Sequence, residues 1–374
     1  MASVRKRTWK SGEQTKTAWI ADYFDQAGKR HIKTFEKKGE ATAWLRNAIV
    51  EVSKGIHTPE RASLTIAEAG DLWILQAETD GLEYSTIRQY RQHLDLHIKP
   101  FLAKLKLSEI TPTSVNDFRN ALIREKRSRI MAKKVVVSLG SILGNAMADG
   151  KAARNVVHEQ SKQQRKRHQR IESRQKKILK EGVDYPTTVE LRTLLTIQGR
   201  WRPFIVTAIF TGLRASELRG LTWADVDLDR GVLHVRQRAD RRNAIGDPKS
   251  ESGKRDIPLV PLTVNVLREW KLACPKSEAN LVFPTSRGTI WSLPNLYRSL
   301  KPTQRQVGIA QPYGLHALRH AAASLFIQEG FSPKRVQTLM GHSTIQVTFD
   351  TYGHLFRTPD EQDELQRLQA RLVS

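Results

Sequence analysis

A chain of 374 residues is longer than one usual domain of roughly 100–200 residues, and its 62 Lys and Arg against 38 Asp and Glu give a formal charge of +24. That imbalance argues against a small-metabolite enzyme and for a polyanionic partner. Cys274 is the single cysteine, so an internal disulfide is excluded and no cysteine metal spacing exists.

MASVRKRTWK does not lead into a signal-peptide core. No unbroken apolar run approaches the ~18 residues of a spanning helix. Nucleic acid in a reducing compartment is therefore expected, rather than lipid. The runs VRKRTW, TAWIADYFD and KRHIKTF are short and β-rich, with Trp19, Ala21 and Tyr23 alternating against Ile20, Asp22 and Phe24. They predict a small three-stranded sheet. A helix follows in EATAWLRNAIVEVSKG, with Trp44, Leu45, Ala48 and Ile49 on one face and Gly55 as a stop. Arg5, Lys6 and Arg7 suit a strand laid into a DNA groove.

Beyond HTPERAS the pattern turns helical. Thr65 and Glu68 stand in capping-box spacing before LWIL. A second helix, YSTIRQYRQHLDLHIKP, is expected to close at Pro100 and carries Arg88, Arg91, His93 and Lys99, either as contacts to a DNA backbone or simply as a solvated charged face. Two more helices, from TPTSVNDF and through AKKVVVSLGSILGNAMADG, complete an all-α domain over 64–158. The strongly basic SKQQRKRHQRIESRQKKILKEG reads as a linker over 159–180, with Arg165, Lys166 and Arg167 placed to track phosphates. From YPTTVELRTLL a mixed domain over 181–374 begins, with Thr187 and Glu190 again in capping-box register and β-like runs at GVLHVRQR and RDIPLV. The fold class is thus multidomain α+β: a sheet-plus-helix module over 1–57, a helical bundle, and a mainly α domain with a small β-sheet.

Four strings in the last domain carry chemistry. In FTGLRASELRGL a glycine ends one helix, and Arg214 and Glu217 stand three apart at the start of the next; a surface i, i+3 salt bridge is the bland alternative to a phosphate site. DPKSESGKRDIPL puts Lys249 and Lys254 in a turn between strands. GLHALRHAAASLFIQEG places His316, Arg319 and His320 within about one turn; the i, i+4 histidines suggest zinc, but HExxH's glutamate is missing. LMGHSTIQVTFDTYGHL sets His342 ten residues before Tyr352.

In order, Arg214, Lys249, His316, Arg319, His342 and Tyr352 resemble the tyrosine recombinase, or phage integrase, family, and the resemblance covers 181–356 through TGLRxSELxxL, LHxLRH and LMGHxxxxxTxxxYxH. It implies Tyr352 as a nucleophile forming a 3′-phosphotyrosine, Arg214 and Arg319 as phosphate clamps, and His316 and His342 as hydrogen-bond or proton partners. Lys249, with Lys254 as its alternate, would protonate the 5′-oxygen, while Glu217 and His320 support from behind. No metal and no cofactor is implied. The upstream domains are similar to arm- and core-binding domains. Implied partners are double-stranded attachment sites, a homotetramer on DNA, a DNA-bending protein and an excisionase-like factor, in the cytoplasm and nucleoid of a bacterial host. A chromosome-dimer resolvase, an inactive DNA-binding regulator and a type IB topoisomerase are the competing classes; the basic first module and the occupied series favour an integrase. The tail DEQDELQRLQARLVS spaces Leu365, Leu368 and Leu372 as one helical face, suited to docking in cis or on a neighbouring subunit.

Overall fold

The computed structural model describes residues 2–11, 14–25, 28–53, 63–168, 178–356, 366 and 369–373. The chain divides into two compact units, 1–172 and 173–374.

The first unit opens with an antiparallel sheet of β1 (Ser3–Ser11), β2 (Gln14–Phe24) and β3 (Arg30–Phe35). Helix α1 (Lys38–Ser53) packs on one sheet face, where Ala21, Tyr23, Ala41, Leu45 and Ala48 form a small core. Ile49, expected in that core, is exposed and Ala41 takes the place; the buried stripe runs 41, 45, 48, which leaves position 49 at its edge. Register pairs Arg5 with Ile20 and Ser3 with Asp22 on the face away from α1. There Arg30 grips the buried carboxylate of Asp22, with Arg5 at 3.8 Å.

A helical core comes next, built from α2 (Ile66–Thr79), α3 (Tyr84–His93), α4 (Lys99–Leu102), α5 (Pro112–Arg124), α6 (Arg129–Ala148) and α7 (Val156–His168). The Thr65–Glu68 capping box starts α2 as its spacing predicts. Pro100 does not close the second helix. A π-turn over Leu94–Ile98 joins α3 to α4, and Pro100 sits in the first turn of α4, where its missing N–H leaves no bond unmade. α6 is long and apolar enough to cross a membrane by length and composition alone. It is a core helix: Ala132, Val135, Leu139, Ile142 and Leu143 are sealed among its neighbours. α7 carries helix through 159–168, part of the stretch expected as linker. The side chain of Asn155 receives the His158 N–H at 3.0 Å and donates to the Gly140 carbonyl at 2.7 Å, so the helix start is capped and anchored.

The second unit centres on a nearly all-apolar helix buried along its length. In chain order the unit runs α8 (Thr188–Leu195), that central helix α9 (Trp201–Thr211), α10 (Ala215–Gly220), a sheet and hairpin from β4 (Val226–Asp227), β5 (Val232–Val235), β6 (Arg238–Ala239), β7 (Ile245–Gly246) and β8 (Arg255–Pro258), then α11 (Pro261–Ala273), α12 (Leu293–Gln306), α13 (Leu315–Gln328), α14 (Pro333–Met340) and α15 (Ile345–Tyr352), with α8, α11 and α13 packed on α9. β4, β5 and β8 form one antiparallel sheet, and β6 and β7 a separate hairpin. Leu372 of the tail is exposed; Leu365 and Leu368 lie outside the described residues.

Candidate active site

The site is organised by the last turn of α14. A helix leaves its final carbonyls without intrahelical partners and carries partial negative charge there. Here three successive carbonyls each take a different arginine: Leu339 accepts from Arg255 Nε at 2.7 Å, Met340 from Arg319 Nη2, and Gly341 from Arg214 Nη2 at 2.6 Å. Gly341 is required twice. Its φ is +62°, and a β-carbon would lie 2.8 Å from Arg255 Nη1. Arg319 also donates to the Gly212 carbonyl at 2.7 Å, where α9 ends with φ +61°. Two helix C-termini therefore converge on one buried guanidinium.

Glu217 lies between Arg214 (2.7 Å) and Arg255 (2.9 Å) and also receives the Arg214 backbone N–H, so the Arg-x-x-Glu spacing forms a capping box at the start of α10. Burial alone would raise its pKa. The hydrogen bonds and charge of Arg255 and then Arg214 overcome that and bring it down to about 2. Glu217 stays ionised, and with it the group Arg214, Arg255 and Arg319 keeps a net positive charge. Burial and the charge of Arg214 lower Arg319 to about 9, still protonated near neutrality.

His342 follows Gly341, and its Nδ1 pairs with Thr348 Oγ1 at 2.9 Å. Burial and the charges of Arg319, Arg214 and Arg255 push it down to about 3, so the ring is neutral at any working pH. Thr348 and Tyr352 lie one turn apart on α15. Tyr352 is 2% exposed, and its hydroxyl meets His320 Nδ1 at 2.8 Å. Burial raises the phenol to about 12, against the pull of Arg319. His316 is exposed and stands edge-on to His320, with ring centroids 4.3 Å apart. Partial desolvation of its ring, where it faces the site, and the charges of Arg319 and Arg214 lower its pKa.

Arg214, His316, Arg319, His342 and Tyr352 are thus brought together. His320, expected to support from behind, instead contacts the phenol directly. Glu217 bonds Arg214 and Arg255. Lys249 lies exposed after the β6–β7 hairpin, and Lys254 pairs with Glu251 at 3.1 Å. Among the described residues no group of three or more His, Cys, Asp or Glu could hold a metal ion. Arg255 was missed by the motif reading, yet its signal is in RDIP: alternation puts an arginine on the buried face with Ile257.

Arg5, Lys6 and Arg7 are exposed on β1, Arg88 is exposed on α3, and Arg91 pairs with Glu78 at 2.6 Å. Arg165, Lys166 and Arg167 fall within α7, and their side chains lie outside the described residues. His93 is not on a charged face: it is buried and bonded to Ser138.

Residues 195–358 match the model of the phage integrase family, and 65–123 match its N-terminal SAM-like domain. The chain belongs to the phage integrase family of tyrosine recombinases. It is 24% identical to a XerC-like tyrosine recombinase of Caldanaerobacter subterraneus, over 92% of this chain and 94% of that one. It is 27% identical to a putative prophage phiRv2 integrase of Mycobacterium tuberculosis, over 92% and 90%. The Tn1549 transposon integrase, solved with transposon right end DNA, superposes with a TM-score of 0.65 at 20% identity, covering 83% of this chain and all of that one. A lambda integrase dimer bound to a COC′ core site gives 0.56 at 19% identity, covering 91% and 95%.

Proposed function

We propose that this site-specific recombinase integrates and excises a mobile element, with Tyr352 as its nucleophile. The phenolic oxygen attacks a DNA phosphodiester, the bond to the 5′-oxygen breaks, and a 3′-phosphotyrosine holds the energy for religation. Arg214 and Arg319 are planar donors fixed by helix C-termini before any substrate arrives, as stabilisation of developing phosphate charge requires. Removing one such donor typically slows chemistry by ~10²–10³. A phenol near 12 needs a base, and His320 is the imidazole already bonded to it. Attack requires Tyr352 to leave its burial and meet the phosphate. His342, neutral, and His316 serve as hydrogen-bond partners of that phosphate, and Lys249 delivers the proton to the departing 5′-oxygen.

One observation carries this reading: three arginines held on consecutive carbonyls of α14, with the phenol of the next helix beside them. The module over 1–57 would bind distal arm sites, the bundle over 64–158 the core site, and the basic run over 159–180 the backbone between. The working form would be a tetramer on two synapsed sites in the bacterial cytoplasm and nucleoid, assisted by a DNA-bending protein and an excisionase-like factor. A nicked suicide substrate tests the chemistry: the protein should be trapped as a covalent adduct and Tyr352→Phe should give none. An adduct formed by the Phe variant ends the assignment.

A further inference from the structure

Arg219 sits at the far end of the same short helix that begins with Arg214 and Glu217, and it is 3% exposed. Among the described residues its guanidinium hydrogen-bonds no carboxylate. It donates to the Trp291 carbonyl at 2.6 Å, to the Asp240 carbonyl at 3.1 Å and to Asn243 Oδ1. Two of these acceptors belong to the tip of the β6–β7 hairpin. Keeping a charge out of water is expensive, and here the Asp240 carboxylate offsets it only through its nearby charge while every hydrogen bond goes to a neutral acceptor, so the contact demands a reason.

That reason is Lys249, three residues beyond the end of the hairpin. The hairpin tip is folded by Asp240, whose Oδ1 receives the backbone N–H groups of Arg242 at 2.7 Å and Ala244 at 2.9 Å. Its base lies directly on the end of α10: a β-carbon on Gly220 would stand 2.6 Å from the Ala239 nitrogen and 2.7 Å from the Arg238 carbonyl carbon, so only glycine allows that approach. Gln237 Nε2 adds a bond to the Gly220 carbonyl at 2.8 Å, and Arg238 Nε reaches the Asp247 carbonyl at 3.0 Å. On the other side of Lys249, Pro248 packs where a Gly253 side chain would be, and the Gly253 carbonyl accepts from Arg255 at 2.9 Å. Lys249 therefore hangs between two fixed points, one fastened through Arg219 and the other through Arg255.

We propose that Arg219 is a positioning residue for leaving-group protonation: it clamps the β6–β7 hairpin to α10 so that Lys249 is held over the same scissile phosphate that Arg214 grips. This rests on the reading of Lys249 as the proton donor. A lysine has a long flexible stem, and small misplacements of a catalytic group are costly, a 1 Å error reaching ~10²-fold.

The test separates the two ideas. Replacing the bridging 5′-oxygen of the scissile phosphate by sulfur gives a thiolate leaving group, which departs without a proton because thiols titrate near ~8.5. On ordinary DNA, Arg219→Met should cleave at least about tenfold more slowly, a partial loss of the ~10²–10⁴-fold that a general acid contributes. On the sulfur substrate it should return to within about threefold of the unaltered protein, since no proton is needed there. Asn243→Gly, which removes one tip acceptor at a position whose φ is already +66°, should show the same pattern more weakly and guards against misfolding. Lys249→Ala should be slow on ordinary DNA and rescued by sulfur. If Lys249→Ala is rescued but Arg219→Met and Asn243→Gly are equally slow on both substrates, or slow on neither, the clamp is refuted. If Lys249→Ala is not rescued, the donor reading itself falls and the clamp falls with it.

Discussion

Glu217 carries its charge in a place that is 2% exposed, between Arg214 and the buried Arg255. Removing one partner of such an arrangement leaves the others charged, desolvated and unpaired, at about 3–5 kcal/mol. Glu217→Gln should therefore lower the urea midpoint without changing the slope; a loss below about 1 kcal/mol, the scale of a surface pair, would show the pairing to be incidental. The sign with pH comes from the pKa near 2. Because the folded value is depressed below the ordinary 4.5, the stabilisation is complete above pH 4.5 and disappears as pH falls from there toward 2. The Gln variant should lack that part of the acid slope. His342 behaves in the same sense: lowered from 6.5 to about 3, it stabilises the site above pH 6.5 and penalises it as acid forces a proton on.

At the scale of elements, the turn from α3 to α4 shows what local rules can and cannot predict. Capping boxes at Thr65 and Thr187, and the glycine closing α9, follow from short spacings and are present as expected. Pro100 predicted a helix end, because a pattern reading does not contain the π-turn that absorbs it. His93, the last residue of α3, lies in the core, where Ser138 of α6, 45 residues away, supplies the partner that no window of sequence reveals. The active site divides similarly. Arg214, Glu217, Arg319, His342 and Tyr352 were legible as motifs, whereas the α14 carbonyls and the direct His320–Tyr352 bond depend on tertiary approach. The buried histidines have a measurable consequence. Burial lowers the pKa of both His93 and His97, and Lys134 and Arg127 face them with like charge. Their stabilisation is present above pH 6.5 and lost as pH falls below it. Replacing the bonded pair together, His93→Leu with Ser138→Ala, should be nearly neutral at pH 8, since both polar partners go at once. Unfolding followed from pH 8 to 5 should then show a shallower acid loss than in the unaltered protein. Identical slopes would mean that these rings do not titrate with folding.

For the whole molecule, the excess of +24 charges sets how binding responds to salt. Each phosphate neutralised releases condensed counterions, so log affinity falls against log salt by about 0.9 per contact. Residues 1–55 hold twelve Lys and Arg against six Asp and Glu, a quarter of the net charge, and the rest lies in the bundle, the basic run and the catalytic unit. If the first module serves distal arm sites alone, deleting residues 1–55 should abolish arm-site binding. It should leave core-site cleavage and most of the core-site salt slope in place. Titration of core and arm duplexes at several salt concentrations gives both quantities. Arm binding that survives the deletion refutes the role of the module. A core-site slope that collapses with it would instead mean that the module's basic strand shares the core site, so that the +6 it contributes works together with the bundle on a single duplex. A core-site affinity that hardly changes with salt would contradict the electrostatic reading of the entire chain.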